Sequence, residues 1–147
     1  MNENEDKIPP KLQEIISDFQ ISEGREKLEL LLDYSERMPD LPDWLRGKQD
    51  QMDQVQECMT PVFVEAKVDH ERMSFYFDVP PESPTVRGYA ALLAEGLEGS
   101  TPAEVLGVPA DFYRKMGLEG VLTQQRLNGI SAILVHMKRL AVEALAK

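Results

Sequence analysis

Residue 58 is the only cysteine in a chain of 147 residues. It sits in QVQECMTPVFVEAKV, where a polar run gives way to an alternating apolar one. A free thiol has two ordinary uses: it packs as a small hydrophobe, or it attacks as a thiolate. Pro61 follows closely and cannot donate a ladder hydrogen bond, so it marks the start or edge of a strand. Cys58 is therefore expected at a loop-to-strand junction, where a loop tip can reach a partner. The nearest charges are Asp53 and Glu57, and negative neighbours raise a thiol pKa. No Lys or Arg lies within several residues, so the local sequence does not build a permanently activated thiolate. A thiol that reacts only after docking into another protein needs no such activation. Both uses stay open on these residues alone.

Other chemistry is sparse. One Cys and two His do not complete a closed zinc shell. His70 is expected in a solvated hairpin turn, and His136 on the surface or in the packing of a helix. No EF-hand spacing, GxGxxG, GxxxxGK[ST] or GxSxG occurs. Two residues break local helix rules. Arg126 falls in the first turn of the last helix, where positive charge opposes the helix dipole at about 0.3–1 kcal/mol. Gly129 lies inside the same helix and costs about 0.5–1 kcal/mol against alanine. Such violations occur at functional or tightly packed places; an ion pair for Arg126 and a close crossing for Gly129 are the structural alternatives.

The elements that must position these residues follow from periodicity. Leu12, Ile15, Ile16 and Phe19 make one apolar helical stripe. A second helix is expected after an N-cap at Ser22, with Leu28, Leu31 and Leu32 facing the core, ending near Met38 before Pro39 and Pro42. Residues 39–51 read as an irregular connection anchored to the core by Trp44. The period then changes to two. Val62, Val64, Ala66 and Val68 form one half-buried strand, a polar turn spans residues 69–72, and Phe75, Phe77 and Val79 return antiparallel. Residues 52–56 add a weaker third strand. Ser83-Pro84 opens a helix carrying Val86, Tyr89, Leu93 and Leu97. Thr101-Pro102-Ala103-Glu104 is a capping box for a short helix ending at Gly107. Another short helix is expected over 110–116, and a long one from Thr123 with Leu127, Ile130, Leu134, Met137, Ala141 and Leu145 buried. The fold class is α+β: a small antiparallel sheet of about three strands packed with helices from the N- and C-terminal parts. Residues 1–10 are expected to be flexible and 11–147 to form a single domain.

Composition limits the partners. The 26 acidic against 16 basic residues give a net charge of −10, which disfavours nucleic acid and acidic membranes. No apolar run approaches the roughly 18 residues of a membrane helix. One cysteine and a polar, acidic N-terminus fit a reducing cytoplasm.

Four stretches, in order, carry a resemblance. After the first two helices comes ERMPDLPDWL, then QVQECMTPVFVEAKV, then ESPTVRGYAALLAEGLEGSTPAEVL, and finally LTQQRLNGISAILVHMKRLA. Their order and spacing, over about residues 12–145, resemble the SufE family of sulfur-acceptor proteins in iron–sulfur cluster assembly. Matched position by position, Cys58 is similar to the family's sulfur-accepting cysteine, Arg126 to the arginine of its final-helix motif and Gly129 to its glycine. Glu82 stands where aspartate is usual and Thr60 where serine is common. Glu57 replaces a glycine that would help the loop swing, Met59 replaces a polar residue, and Pro61 is unusual. The resemblance implies a SufE-like fold and a carrier that takes persulfide sulfur on Cys58 from a cysteine desulfurase, stimulates that enzyme and delivers sulfur to a cluster scaffold complex. Glu57, Thr60, Glu82, Arg126 and Gly129 would position the loop or partner. No cofactor of its own is implied, pyridoxal phosphate belonging to the desulfurase, and the chain would act as an activator of that enzyme without being a stand-alone one. Two other readings remain: a protein of the same fold that modulates a desulfurase without carrying sulfur, and an unrelated hydrolase with a buried cysteine.

Overall fold

The computed structural model describes residues 8–146. Residues 1–7 and 147, including most of the expected flexible N-terminus, lie outside the described residues. Ile8 is buried against the core and Pro10 already begins α1 (Pro10–Gln20), so residues 8–10 belong to the packed body. The four stripe residues of α1 are all buried. Helix α2 spans Arg25–Glu36 and is capped at Gly24, not at Ser22. The Ser22 hydroxyl instead donates back to the Asp18 carbonyl at 2.9 Å. Leu31 is buried as expected, while Leu32 is 43% exposed and Tyr34 takes the core position. Helix geometry explains the exchange: Tyr34 is three residues from Leu31 and shares its face, whereas Leu32 is turned about 100° away.

The sheet has three antiparallel strands in sequence order: β1 (Asp53–Gln54), β2 (Phe63–Asp69) and β3 (Arg72–Asp78). Asp69 pairs with Arg72 across a two-residue turn, in which His70 and Glu71 both take positive φ (52° and 68°). That is the twist a two-residue hairpin loop requires. His70 is exposed there, beside Asp69. Val62 and Val64 are buried, but Val68 is 45% exposed, because burial fades toward the hairpin tip. Trp44 does not enter the core. It lies 42% exposed, edge-on to Tyr76 at 5.4 Å between centroids, on the outer face of the sheet. Its neighbour Leu45 is the buried residue of that connection.

Helix α3 (Pro84–Leu97) is the central element, packed against α1, α2, β3 and the last helix. Its approach to α2 is so close that a Cβ at Gly88 would lie 2.0 Å from the Leu31 carbonyl oxygen, so only glycine fits. Tyr89 on the same helix stacks on Phe112 at 5.7 Å. The Thr101–Glu104 capping box forms in full and opens α4 (Pro102–Leu106). Residues 110–116 do not make the expected α-helix. They hold one 3-10 turn (Phe112–Arg114), followed by Gly117 in the left-handed region and a second 3-10 turn (Leu118–Gly120). The run is too short to repay helix nucleation, and burial of Phe112, Tyr113 and Met116 sets its path instead. Helix α5 (Gln124–Leu145) packs on β2, α3 and α4. Its stripe is buried from Leu127 to Ala141, while Leu145 is 59% exposed at the last turn. Among the described residues no helix is long and apolar enough to cross a membrane.

Candidate functional site

Cys58 lies in the loop between β1 and β2. Val55 and Val62 form the neck of that loop, both buried, with the Val55 N–H donating to the Val62 carbonyl at 2.9 Å. The ends are therefore fixed by apolar anchors and a ladder-type bond, while the middle projects. Met59 at the tip is 81% exposed. Cys58 is partly buried; its N–H donates to the Val55 carbonyl at 3.3 Å. Its thiol donates to the Gly129 carbonyl of α5, also at 3.3 Å.

Gly129 is what admits the sulfur. A Cβ built there would stand 3.3 Å from Cys58 Sγ and 3.7 Å from its Cα. The glycine's cost to the helix is thus explained by a side chain seated against bare backbone. On the other limb of the loop, Thr60 and Ser83 hydroxyls pair at 2.7 Å. Ser83 precedes α3 at the N-cap position but makes no side-chain cap bond, its hydroxyl being engaged with Thr60.

A cleft of about 450 Å³ opens over the thiol, lined by Cys58, Thr60, Glu82, Arg126 and Gly129 among others. Five of the six residues singled out from the sequence therefore meet in one place. Glu82 and Arg126 are both exposed on its wall. The Arg126 N–H donates to the Thr123 hydroxyl, capping α5. Among the described residues its guanidinium forms no ion pair, so the ion pair expected as the structural alternative is not found there. An exposed cation beside a nucleophile is an arrangement that can receive an anionic group.

The sixth residue, Glu57, points the other way. It joins a cluster that sequence reasoning missed. His136, 8% exposed on α5, stands with Nε2 3.0 Å from Glu57 and Nδ1 2.5 Å from Asp53. Arg139 donates to the same Asp53 oxygen at 2.7 Å and lies 2.6 Å from His136 Nδ1. The expectation that His136 is incidental surface or packing is thus corrected: it ties the helix to β1 at the entry of the cysteine loop and to the loop residue before Cys58. The signal was present in the spacing. His136 follows Gly129 by two helical turns, hence on the same face toward the loop.

These surroundings set the protonation states. Burial first, and then the Glu57 carboxylate, push the Cys58 thiol up from 9.0 to about 11. Glu57 is held below the ordinary carboxylate range by its own backbone N–H and then by His136. For Asp53, burial works upward, but hydrogen bonds from His136 and Arg139 outweigh it and the net shift is downward. The closed site therefore keeps sulfur as a protonated, hydrogen-bonded thiol.

Comparison with known proteins agrees with the geometry. Residues 13–141 match the family model described as SufE, an Fe-S metabolism associated domain. The chain belongs to the SufE family. An uncharacterized SufE-like protein of Mycobacterium tuberculosis is 40% identical over 138 residues, covering 93% of this chain and 95% of its own. SufE-like protein 1 of Arabidopsis thaliana, named as chloroplastic/mitochondrial, is 33% identical over 138 residues, which make up 36% of that longer protein. The solution structure of a hypothetical protein from Thermus thermophilus superposes with a TM-score of 0.84 at 39% identity, covering 95% of this chain and 99% of the other. The three-stranded sheet and five helices among the described residues are thus the SufE-like α+β fold. Membership ties the chain to Fe–S metabolism, and within the SufE fold the only cysteine sits on the projecting loop.

Proposed function

We propose that this protein accepts sulfur as a persulfide on Cys58 from a cysteine desulfurase, stimulates that enzyme, and passes the sulfur to an Fe–S cluster scaffold. The observation that carries the reading is the site of the only cysteine: a loop with pinned ends and a projecting centre, beside a cleft whose wall carries the exposed Arg126 guanidinium. Family membership and its Fe–S association support the same reading.

The transfer is a thiol exchange. The Cys58 thiolate attacks the outer sulfur of the donor's Cys–S–SH. A new S–S bond forms on Cys58, the donor's S–S bond breaks, and the donor leaves as a thiolate. The proton lost by Cys58 is matched by the one the donor thiolate gains, and no net oxidation occurs. Pyridoxal phosphate serves the donor enzyme in making its persulfide. This chain contributes the nucleophile and its control.

Control comes from access. In the closed state the thiol is a poor nucleophile, which guards it against stray exchange. Opening withdraws Sγ from the Gly129 carbonyl and from the buried surface, removing the first cause of its raised pKa. Arg126 then offers positive charge to the thiolate or to the donor. Glu82 and Thr60 shape the wall and hinge of the loop.

The competing reading, stimulation without carriage, draws on the same raised pKa. The two separate in a desulfurase assay that follows alanine release from cysteine with this protein added. On the carrier reading Cys58→Ser abolishes stimulation while complex formation persists. Full stimulation by Cys58→Ser would favour the regulator.

A further inference from the structure

We propose that His136 is a positioning residue that latches the Cys58 loop closed, by bonding at once to Asp53 at the loop's entry and Glu57 within it. The inference rests on the reading of Cys58 as sulfur acceptor for its functional meaning, though not for its physical test.

The latch is built from three elements. His136 and Arg139 come from α5, Asp53 from β1 and Glu57 from the loop itself. Asp53 is fixed by strand pairing with Val64 and by Arg139, so it holds the imidazole in one orientation. That orientation aims Nε2 at Glu57, the residue next to Cys58. The groups facing His136 are thus two carboxylates and one guanidinium. Bonding to both carboxylates at once uses a ring with a proton on each nitrogen, Nδ1–H donating to Asp53 and Nε2–H donating to Glu57.

Leverage favours this bond over the others that close the loop. The Cys58 thiol contact to Gly129 is a weak S–H donor bond. The Thr60–Ser83 pair joins neutral groups on the far limb. Glu57 supplies the one charged tether, on the limb leading into the sulfur. Its side chain is 56% exposed, so a docking protein can reach it and compete for it with a cation of its own. Release is then by exchange of partners for Glu57, and sulfur becomes available where a donor is seated.

The test is native-state hydrogen exchange of the Cys58 amide, followed by NMR on the full-length protein alone. This amide donates within the loop and reports loop opening without depending on the thiol pKa. His136→Ala and Glu57→Ala are each expected to speed its exchange about fivefold to tenfold, the worth of one partly exposed charge-assisted hydrogen bond. Core amides of α5, such as Ile133, keep their wild-type rates. The double variant exchanges no faster than the faster single one, because both remove the same bond. Unchanged Cys58 exchange in both variants, or effects that multiply in the double, overturn the latch. Should His136→Ala fail to fold, Glu57→Ala decides alone, since its side chain is largely solvent-exposed. A parallel incubation with desulfurase and cysteine keeps the two readings apart. Faster persulfide loading of the variants supports the latch as a control of transfer. Faster amide exchange with no persulfide on any form leaves the latch standing and removes the carrier.

Discussion

Gly129→Ala puts the contact between loop and helix to a quantitative test. The added methyl meets Cys58 Sγ at 3.3 Å and Cys58 Cα at 3.7 Å. Optimal separations are about 3.5–4.0 Å, so the sulfur must retreat by roughly 0.3–0.5 Å. The only direction open is away from α5, which stretches the 3.3 Å thiol bond to the Gly129 carbonyl and returns the sulfur toward water. The helix gains about 0.5–1 kcal/mol from alanine. Losing the thiol bond and crowding the loop cost about 0.5–1.5 kcal/mol. The two nearly cancel, and the melting temperature should move by no more than about 2–4 °C. Reactivity does not cancel. A pKa falling from about 11 halfway back toward 9.0 raises the thiolate fraction at pH 7.5 roughly tenfold. Lower basicity takes back about threefold through a Brønsted slope of about 0.4–0.5. A net rise of about threefold in iodoacetamide alkylation of Cys58 is expected, with better access adding to it. Alkylation at or below the wild-type rate, or a drop in melting temperature beyond about 5 °C, would show that the loop cannot yield and would refute the reasoning.

Two further outcomes are expected. Thiolate absorbance of the folded protein should show Cys58 titrating near 11, and unfolding in urea should return it toward 9.0. Because the folded state holds this proton more tightly, the group does not affect stability below pH 9, and stability falls as pH rises from there toward 11; a folded-state midpoint below 8.5 would contradict the burial argument. Arg126→Ala removes an exposed side chain that has no ion-pair partner among the described residues, so stability should stay within about 0.5 kcal/mol by denaturant titration. Sulfur acquisition from a desulfurase should nonetheless slow, and an unchanged rate would remove Arg126 from the site.

The sequence was most informative where physics is local or periodic. The α1 stripe, the β2–β3 hairpin and the Thr101–Glu104 capping box need only near neighbours, and all formed as expected. Two violations of helix rules, Arg126 and Gly129, led to the cleft because both sacrifice local stability for a contact or an exposed charge there. Trp44, Leu32 and Leu145 misled because apolar character alone does not say which face a side chain occupies. The His136 cluster was hidden for a different reason. Its members are separated by about eighty residues and meet only after β1 and the loop pack on α5, and a histidine in an apolar helix looks the same with or without partners. Glu57 was the visible half of that arrangement. It reads as an oddity beside Cys58 until the imidazole opposite it is known.

The central claim is that sulfur rides on Cys58. Intact-protein mass spectrometry after incubation with a cysteine desulfurase, pyridoxal phosphate and cysteine tests it most directly. The account predicts an added mass of one sulfur atom, mapped to the peptide containing Cys58, removed by reductant and absent in Cys58→Ser. An unmodified Cys58 while the desulfurase turns over in its presence would contradict it.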